Sequence, residues 1–119
     1  MEIIQWVIII LGIVFIATRF MPVKGITHIT GQDAKKKQKN KNVQFIDVRT
    51  PGEYRSNHHK PFKNIPLAEL SKRINELDKE KDVIVICQSG MRSMKAAKVL
   101  KKNGFQHVFN VQGGMGAWR

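Results

Sequence analysis

Val83 to Leu100 reads VIVICQSGMRSMKAAKVL. Val83 to Ile86 is a continuous apolar run, the pattern of a strand buried on both faces, as in a parallel sheet. Met91, Met94, Ala97 and Leu100 then recur at helical spacing. Lys101 and Lys102 suit the negative end of that helix, and Gly104 is its expected stop. Cys87, the chain's one cysteine, falls at the junction of strand and helix. In open parallel sheets, ligands bind beyond the carboxyl ends of the strands, so this junction is the first place to look for chemistry.

Working outward, the same alternation continues. Ile26 to Ile29 and Val43 to Val48 read as strands, and Phe105 to Val111 as a last one. Thr50, Pro51 and Glu53 form a helix start: an N-cap, a proline at the first helical position, and a glutamate three residues after the cap. Asn57 to Lys63 is polar and reads as loop. Leu67, Leu70, Ile74 and Leu77 give helical spacing over Pro66 to Leu77. Gly31 to Lys41 is rich in lysine and poor in apolar residues, so it specifies a helix only weakly. Strand and helix in alternation imply right-handed crossovers and a parallel α/β sheet.

The residues after Cys87 decide how it is read. Gly90 allows the turn to wrap, so that several backbone N–H groups can point inward at the sulfur. The following helix adds the positive end of its dipole, and Arg92 adds a fixed charge. Both favour thiolate over thiol and lower the pKa from about 8.5. A buried filler cysteine, the alternative, needs neither Gly90 nor Arg92. One cysteine excludes an intrachain disulfide and a zinc site built on several thiolates. His58 and His59 are adjacent and lack a surrounding ligand cluster, so no metal site is expected.

CQSGMRS, Cys87 to Ser93, resembles the active-site loop of single-domain rhodaneses, which are sulfurtransferases. FIDVRTPGEY, Phe45 to Tyr54, NHHKPFKNIP, Asn57 to Pro66, and NVQGGMGAW, Asn110 to Trp118, resemble the family's other segments in the same order. In the second of these, Asn57 and His59 replace the usual Gly and Ile, and Pro61-Phe62 the usual Gly-Ala, so that loop has a different shape. The resemblance implies a rhodanese-like three-layer fold with a small parallel sheet flanked by helices, spanning 26–119. It implies that Cys87 takes sulfane sulfur from thiosulfate or a persulfide, small-molecule or protein, and passes it to a thiol acceptor. It implies no cofactor. Gln88, Ser89, Gly90, Met91 and Arg92 would bind substrate, and Asp47, Arg49, Glu53 and His58 would support the site. Arg49 is expected to pair with Glu53 or another carboxylate, or to touch substrate. Trp118 is expected in the core, and Met91 at the pocket mouth.

Two other functions share part of this pattern. Phosphatases and arsenate reductases also use a Cys-to-Arg loop, but place five residues between the two, a larger cradle than the four here. A non-catalytic membrane-tethered interaction module would not need Cys87.

The N-terminus is of another kind. Ile3 to Thr18 is apolar except for Gln5 and Thr18, and shows no polar face. It predicts an uncleaved transmembrane helix over 1–21, followed by a linker at 22–25. A cleaved signal peptide would carry a basic n-region, and here only Glu2 precedes the run. The chain of 119 residues has 21 Lys and Arg against 9 Asp and Glu, a net charge of +12, and all its Lys and Arg lie at or after Arg19. The positive-inside rule then predicts a single-pass protein of the cell membrane with its domain in the cytoplasm. Lys35 to Lys41, KKKQKNK, is expected to be solvated or to meet anionic lipid rather than nucleic acid. Nothing in the sequence demands an oligomer.

Overall fold

The structure, a computed structural model, describes residues 2–20, without the side chains of 18–20, and residues 25–118. It contains α1 (Glu2–Phe20), β1 (Ile26–Ile29), α2 (Gly31–Lys36), β2 (Val43–Asp47), α3 (Pro51–Ser56), β3 (Lys63–Asn64), α4 (Leu67–Leu70), β4 (Asp82–Ile86), α5 (Met91–Lys102) and β5 (Val108–Val111). The five strands form one sheet in the order β1-β5-β4-β2-β3, and every pairing is parallel.

β4 lies at the centre, and its alternation shows why the run from Val83 has no polar gap. Val83, Val85 and Cys87 enter one core with Leu70 of α4 and Ala96, Ala97 and Leu100 of α5. Ile84 and Ile86 enter a second core with Ala34 of α2, Met115 and Trp118. Both faces of the sheet are therefore covered, giving three layers. Each fully buried Val or Ile of β4 contributes about 2 kcal/mol by leaving water.

α3 begins as its sequence dictates. Thr50 Oγ1 accepts from Glu53 N at 3.3 Å, and Glu53 Oε1 accepts from Thr50 N at 3.1 Å, with Pro51 in the first turn. Such a box is worth about 1 kcal/mol. Gly104, at φ +94°, follows the end of α5, a backbone angle that disfavours a side chain.

Several expectations need correction. Pro66 to Leu77 is not one helix. It is α4 followed by a single 3-10 turn at Ile74–Glu76. The chain bends after Leu70 so that Ile74 and Leu77 still reach the core, and Gln44 pins its end by bonding both N and O of Asp78. The last strand is shorter than Phe105 to Val111, starting at Val108. Met91 lies off the buried face of α5, 75% exposed, while Met94 packs against the core. The lysine run contributes α2 and a 3-10 turn at Lys37–Lys39, capped by Thr30. It is not wholly solvated: Lys35 lies over Trp118 and Lys37 over Phe109.

α1 is helical as expected, with apolar side chains exposed all round, from Val7 at 49% to Ile3 at 78%. Among the described residues, however, no helix is long and apolar enough to cross a membrane. The transmembrane helix expected over 1–21 is thus not supported. The linker expected at 22–25 falls, except for Gly25, outside the described residues.

The turn after β5 closes the domain against the end of β4. Gly114 has φ +58°, and a Cβ there would stand 2.7 Å from Gln88 O. Met115 N donates to Cys87 O at 2.8 Å. Gly114→Ala should lower stability by roughly 2 kcal/mol, read by denaturant melts; a loss within error would show that this approach is not tight. Glu53 supplies a second test. Hydrogen bonds from the Arg92 guanidinium and from Thr50 hold its carboxyl at about 2, below the usual 4.5. This stabilises the fold above pH 4.5, and the gain is lost as pH falls toward 2. Being a third exposed, the pair is screened by solvent and the effect is modest. The melting-temperature gap between wild type and Glu53→Gln should close across that range, and a gap unchanged at pH 3 would contradict it.

Candidate functional site

Cys87 follows β4 directly and is fully buried. Gly90, at φ +101°, turns the chain so that its own N–H donates to Cys87 Sγ at 2.9 Å. The amides of Ser93 and Ser89 also act on the sulfur, and Ser93 Oγ lies 3.4 Å from it. Burial pushes the Cys87 thiol up and is the largest single effect. The Ser93 hydroxyl and the amides of Ser93, Gly90 and Ser89 together outweigh it, so the thiol titrates below its ordinary value. α5 starts at Met91 and directs its positive end at the same point.

The expected loop residues contribute unequally. Gly90 acts through its backbone, and Ser89 does so too, its side chain being exposed. Gln88 Oε1 accepts from Arg49 Nη1 at 3.4 Å. Met91 extends into solvent. Arg92 turns to α3, where its Nη1 and Nη2 meet Glu53 Oε1 and Oε2 at 2.5 and 2.9 Å. Arg49 pairs with Asp47 and not with Glu53: its Nε and Nη2 reach the carboxylate at 2.8 to 3.0 Å, and both residues are buried. Arg49 Nη2 also donates to Asn57 O at 2.5 Å and so holds the loop that follows α3.

That loop carries the unusual residues. Phe62 is buried edge-on to Phe45 and Trp118. Tyr54 Oη donates to Phe62 O at 2.6 Å. His58 stacks on Tyr54 and bonds its carbonyl through Nδ1, whereas His59 stacks on Trp118. The two imidazoles therefore have different partners. His58 reaches the loop only at one remove, through Tyr54 and its bond to Phe62 O. Burial, with Lys35 and Arg49 nearby, lowers the pKa of His59.

Three residues of the site escaped the sequence reading as chemistry. Ser93, fully buried, has two acceptors in reach of its one hydroxyl proton, Gly90 O at 3.0 Å and Asn110 Oδ1. Asn110, in β5, contacts His28 Nδ1 of β1 through Nδ2 at 3.2 Å. The signal for Asn110 was present: an amide inside the apolar run VFNV needs a partner. His28 carried no such signal, because only the β1–β5 register, pairing His28 with Asn110, brings the two together.

The arrangement is a shallow cup of donors around one sulfur, able to hold a thiolate or the terminal sulfur of a persulfide. The family model described as a rhodanese-like domain matches residues 30–119. A thiosulfate sulfurtransferase of Coxiella burnetii is 30% identical over 99 residues, 83% of this chain and 90% of that protein. A putative sulfur carrier protein of Bacillus subtilis is 43% identical over 76 residues, 64% of this chain but 41% of the carrier, so the chain spans less than half of that relative. The crystal structure of a rhodanese-like domain protein from Staphylococcus aureus superposes with a TM-score of 0.72 at 34% identity, covering 78% of this chain and 91% of that one. On sequence and fold alike, the chain belongs to the rhodanese-like domain family.

Proposed function

We propose that this chain is a sulfurtransferase that carries sulfane sulfur on Cys87. The observation that carries the proposal is the Gly90 amide 2.9 Å from Sγ, inside a loop with four residues between Cys87 and Arg92. Cys87 thiolate attacks the outer sulfur of thiosulfate or a persulfide. A new S–S bond forms, the donor's S–S bond breaks, and its electron pair leaves on sulfite or on a thiolate. The cup's N–H donors then stabilise the terminal anionic sulfur, and an acceptor thiol removes it in a second displacement. Ser93 Oγ and the Gly90 amide contact the sulfur. Gln88, Met91 and Arg92 shape the entrance, while Asp47, Arg49, Glu53 and His58 hold the loops. The Coxiella relative, a thiosulfate sulfurtransferase, and the Bacillus relative, named as a putative sulfur carrier protein, suit the two halves of the cycle. A cup this small fits a sulfur atom better than a phosphate.

Mass spectrometry tests the first step. Thiosulfate or a persulfide should add one sulfur to Cys87, and none to Cys87→Ser. Phosphatase turnover without any sulfur adduct would defeat the proposal. Ser93→Ala should raise the pH midpoint of Cys87 alkylation by about one unit, the size expected for a lost hydrogen bond to an anion. No movement of the midpoint would remove Ser93 from the site.

For location, we propose attachment to the cell membrane through α1, with the domain on the cytoplasmic side. The support is the exposed apolar surface of α1, suited to lying in a membrane surface, and the basic charge from Arg19 on, suited to the anionic cytoplasmic leaflet. Lys36, Lys39 and Lys41, exposed in the lysine run, add attraction to anionic lipid. The protein should float with phosphatidylglycerol vesicles, and a chain lacking residues 2–20 should not. Equal flotation of both would place the attachment elsewhere.

A further inference from the structure

Beside the cup lies a cavity of about 290 Å³, walled by Val48, Thr50, Pro66, Leu67, Ala68 and Arg92. Its walls come from the end of β2 and the starts of α3, α4 and α5, all at the carboxyl edge of the sheet. Two of its walls are tied to the Cys87 segment: Val48 N donates to Ile86 O, one residue before Cys87, and Arg92 directly precedes Ser93, whose Oγ lies 3.4 Å from the sulfur. Four of the six walls are apolar side chains. The one charge is Arg92, and both of its terminal nitrogens are engaged by Glu53. Glu53 is held in turn by Thr50 N and Oγ1. Arg49, the other arginine near the loop, is neutralised by Asp47.

A dianionic sulfonate entering here meets an ion pair already satisfied and a hydrocarbon wall. It loses hydration without gaining a free cation. An alkyl group entering the same space leaves water favourably. We propose that the cavity is a subsite for the organic group of an alkyl persulfide, R–S–S⁻, and that such persulfides are preferred over thiosulfate as sulfur donor. The proposal rests on the sulfurtransferase reading above. With the alkyl group in the cavity, Cys87 thiolate bonds to the outer sulfur. The donor's S–S bond breaks, and its electron pair departs on R–S⁻, which takes a proton from water. No oxidant or reductant is needed.

The test uses the full chain with ethyl, butyl and hexyl persulfides and with thiosulfate, all with cyanide as acceptor. In wild type, kcat/KM should rise about threefold per added methylene until the cavity is filled. Ala68→Phe, at an exposed wall position, should bring the hexyl-to-ethyl ratio close to one. Glu53→Gln, which releases Arg92, should raise thiosulfate relative to hexyl persulfide at least fivefold. A flat chain-length series in wild type overturns the subsite even if neither variant folds, and so does an Ala68→Phe protein that keeps the wild-type ratio. If no donor of any kind places sulfur on Cys87, it is the sulfurtransferase reading that falls; if all donors load it equally, only the subsite falls.

Discussion

An anion buried at the end of a strand must be solvated by the protein, because no water reaches it. The thiolate of Cys87 would be such an anion, and the local structure supplies donors to it. Burial alone would return the sulfur to the neutral thiol. Gly90 therefore takes a left-handed conformation and aims its amide at Sγ, and α5 begins immediately after it. The closing turn must then approach the same backbone, and only a residue without Cβ fits at Gly114. Two glycines far apart in sequence thus shape one segment: Gly90 brings an amide to the sulfur, and Gly114 lets the closing turn reach the carbonyls of Cys87 and Gln88.

The charges around the cup follow a different rule from those of the surface. The chain as a whole carries +12, yet the two arginines nearest the sulfur are each matched by a carboxylate. Asp47–Arg49 is buried and ties the end of β2 to Asn57 O. Glu53–Arg92 is partly exposed and ties α3 to the first turn of α5. The strong electrostatics at the sulfur then come from dipoles, the amides and the helix end, rather than from free ions. Dipoles fixed in the backbone need no counter-ion and do not reorganise when the sulfur charge changes.

Much of this was legible in the sequence because it depends on short-range pattern. The run at β4, the Thr50–Glu53 box and the position of Cys87 between strand and helix are all local, and all are found where the pattern put them. What was not legible depends on tertiary geometry. Helical spacing over Leu67 to Leu77 is satisfied equally by one helix or by two short turns, and the Gln44–Asp78 contact that favours the turns spans 34 residues. The choice of Asp47 rather than Glu53 as Arg49's partner is of the same kind, since both lie within a few residues of it. Met91 sits on the apolar stripe by spacing but at the first position of α5, where the stripe has already rolled away from the sheet.

The Ser93 hydroxyl connects these observations. It has one proton and three neighbours able to accept it: Gly90 O, Asn110 Oδ1 and the sulfur. When Cys87 is a thiol, its S–H points at Ser93 Oγ, and the hydroxyl proton goes to Asn110 or Gly90. With Cys87 as a thiolate, the hydroxyl would be free to turn to the sulfur, and Asn110 would then lose that donor while its contact with His28 need not change. Rotation of one hydroxyl is a small motion, so the buried polar chain adjusts to either charge state without moving the backbone. A cavity lined only by Leu or Val at these positions would pack equally well, but would offer the sulfur no second state. The polar residues in this otherwise apolar core are thus explained by the change in charge at Cys87 rather than by packing.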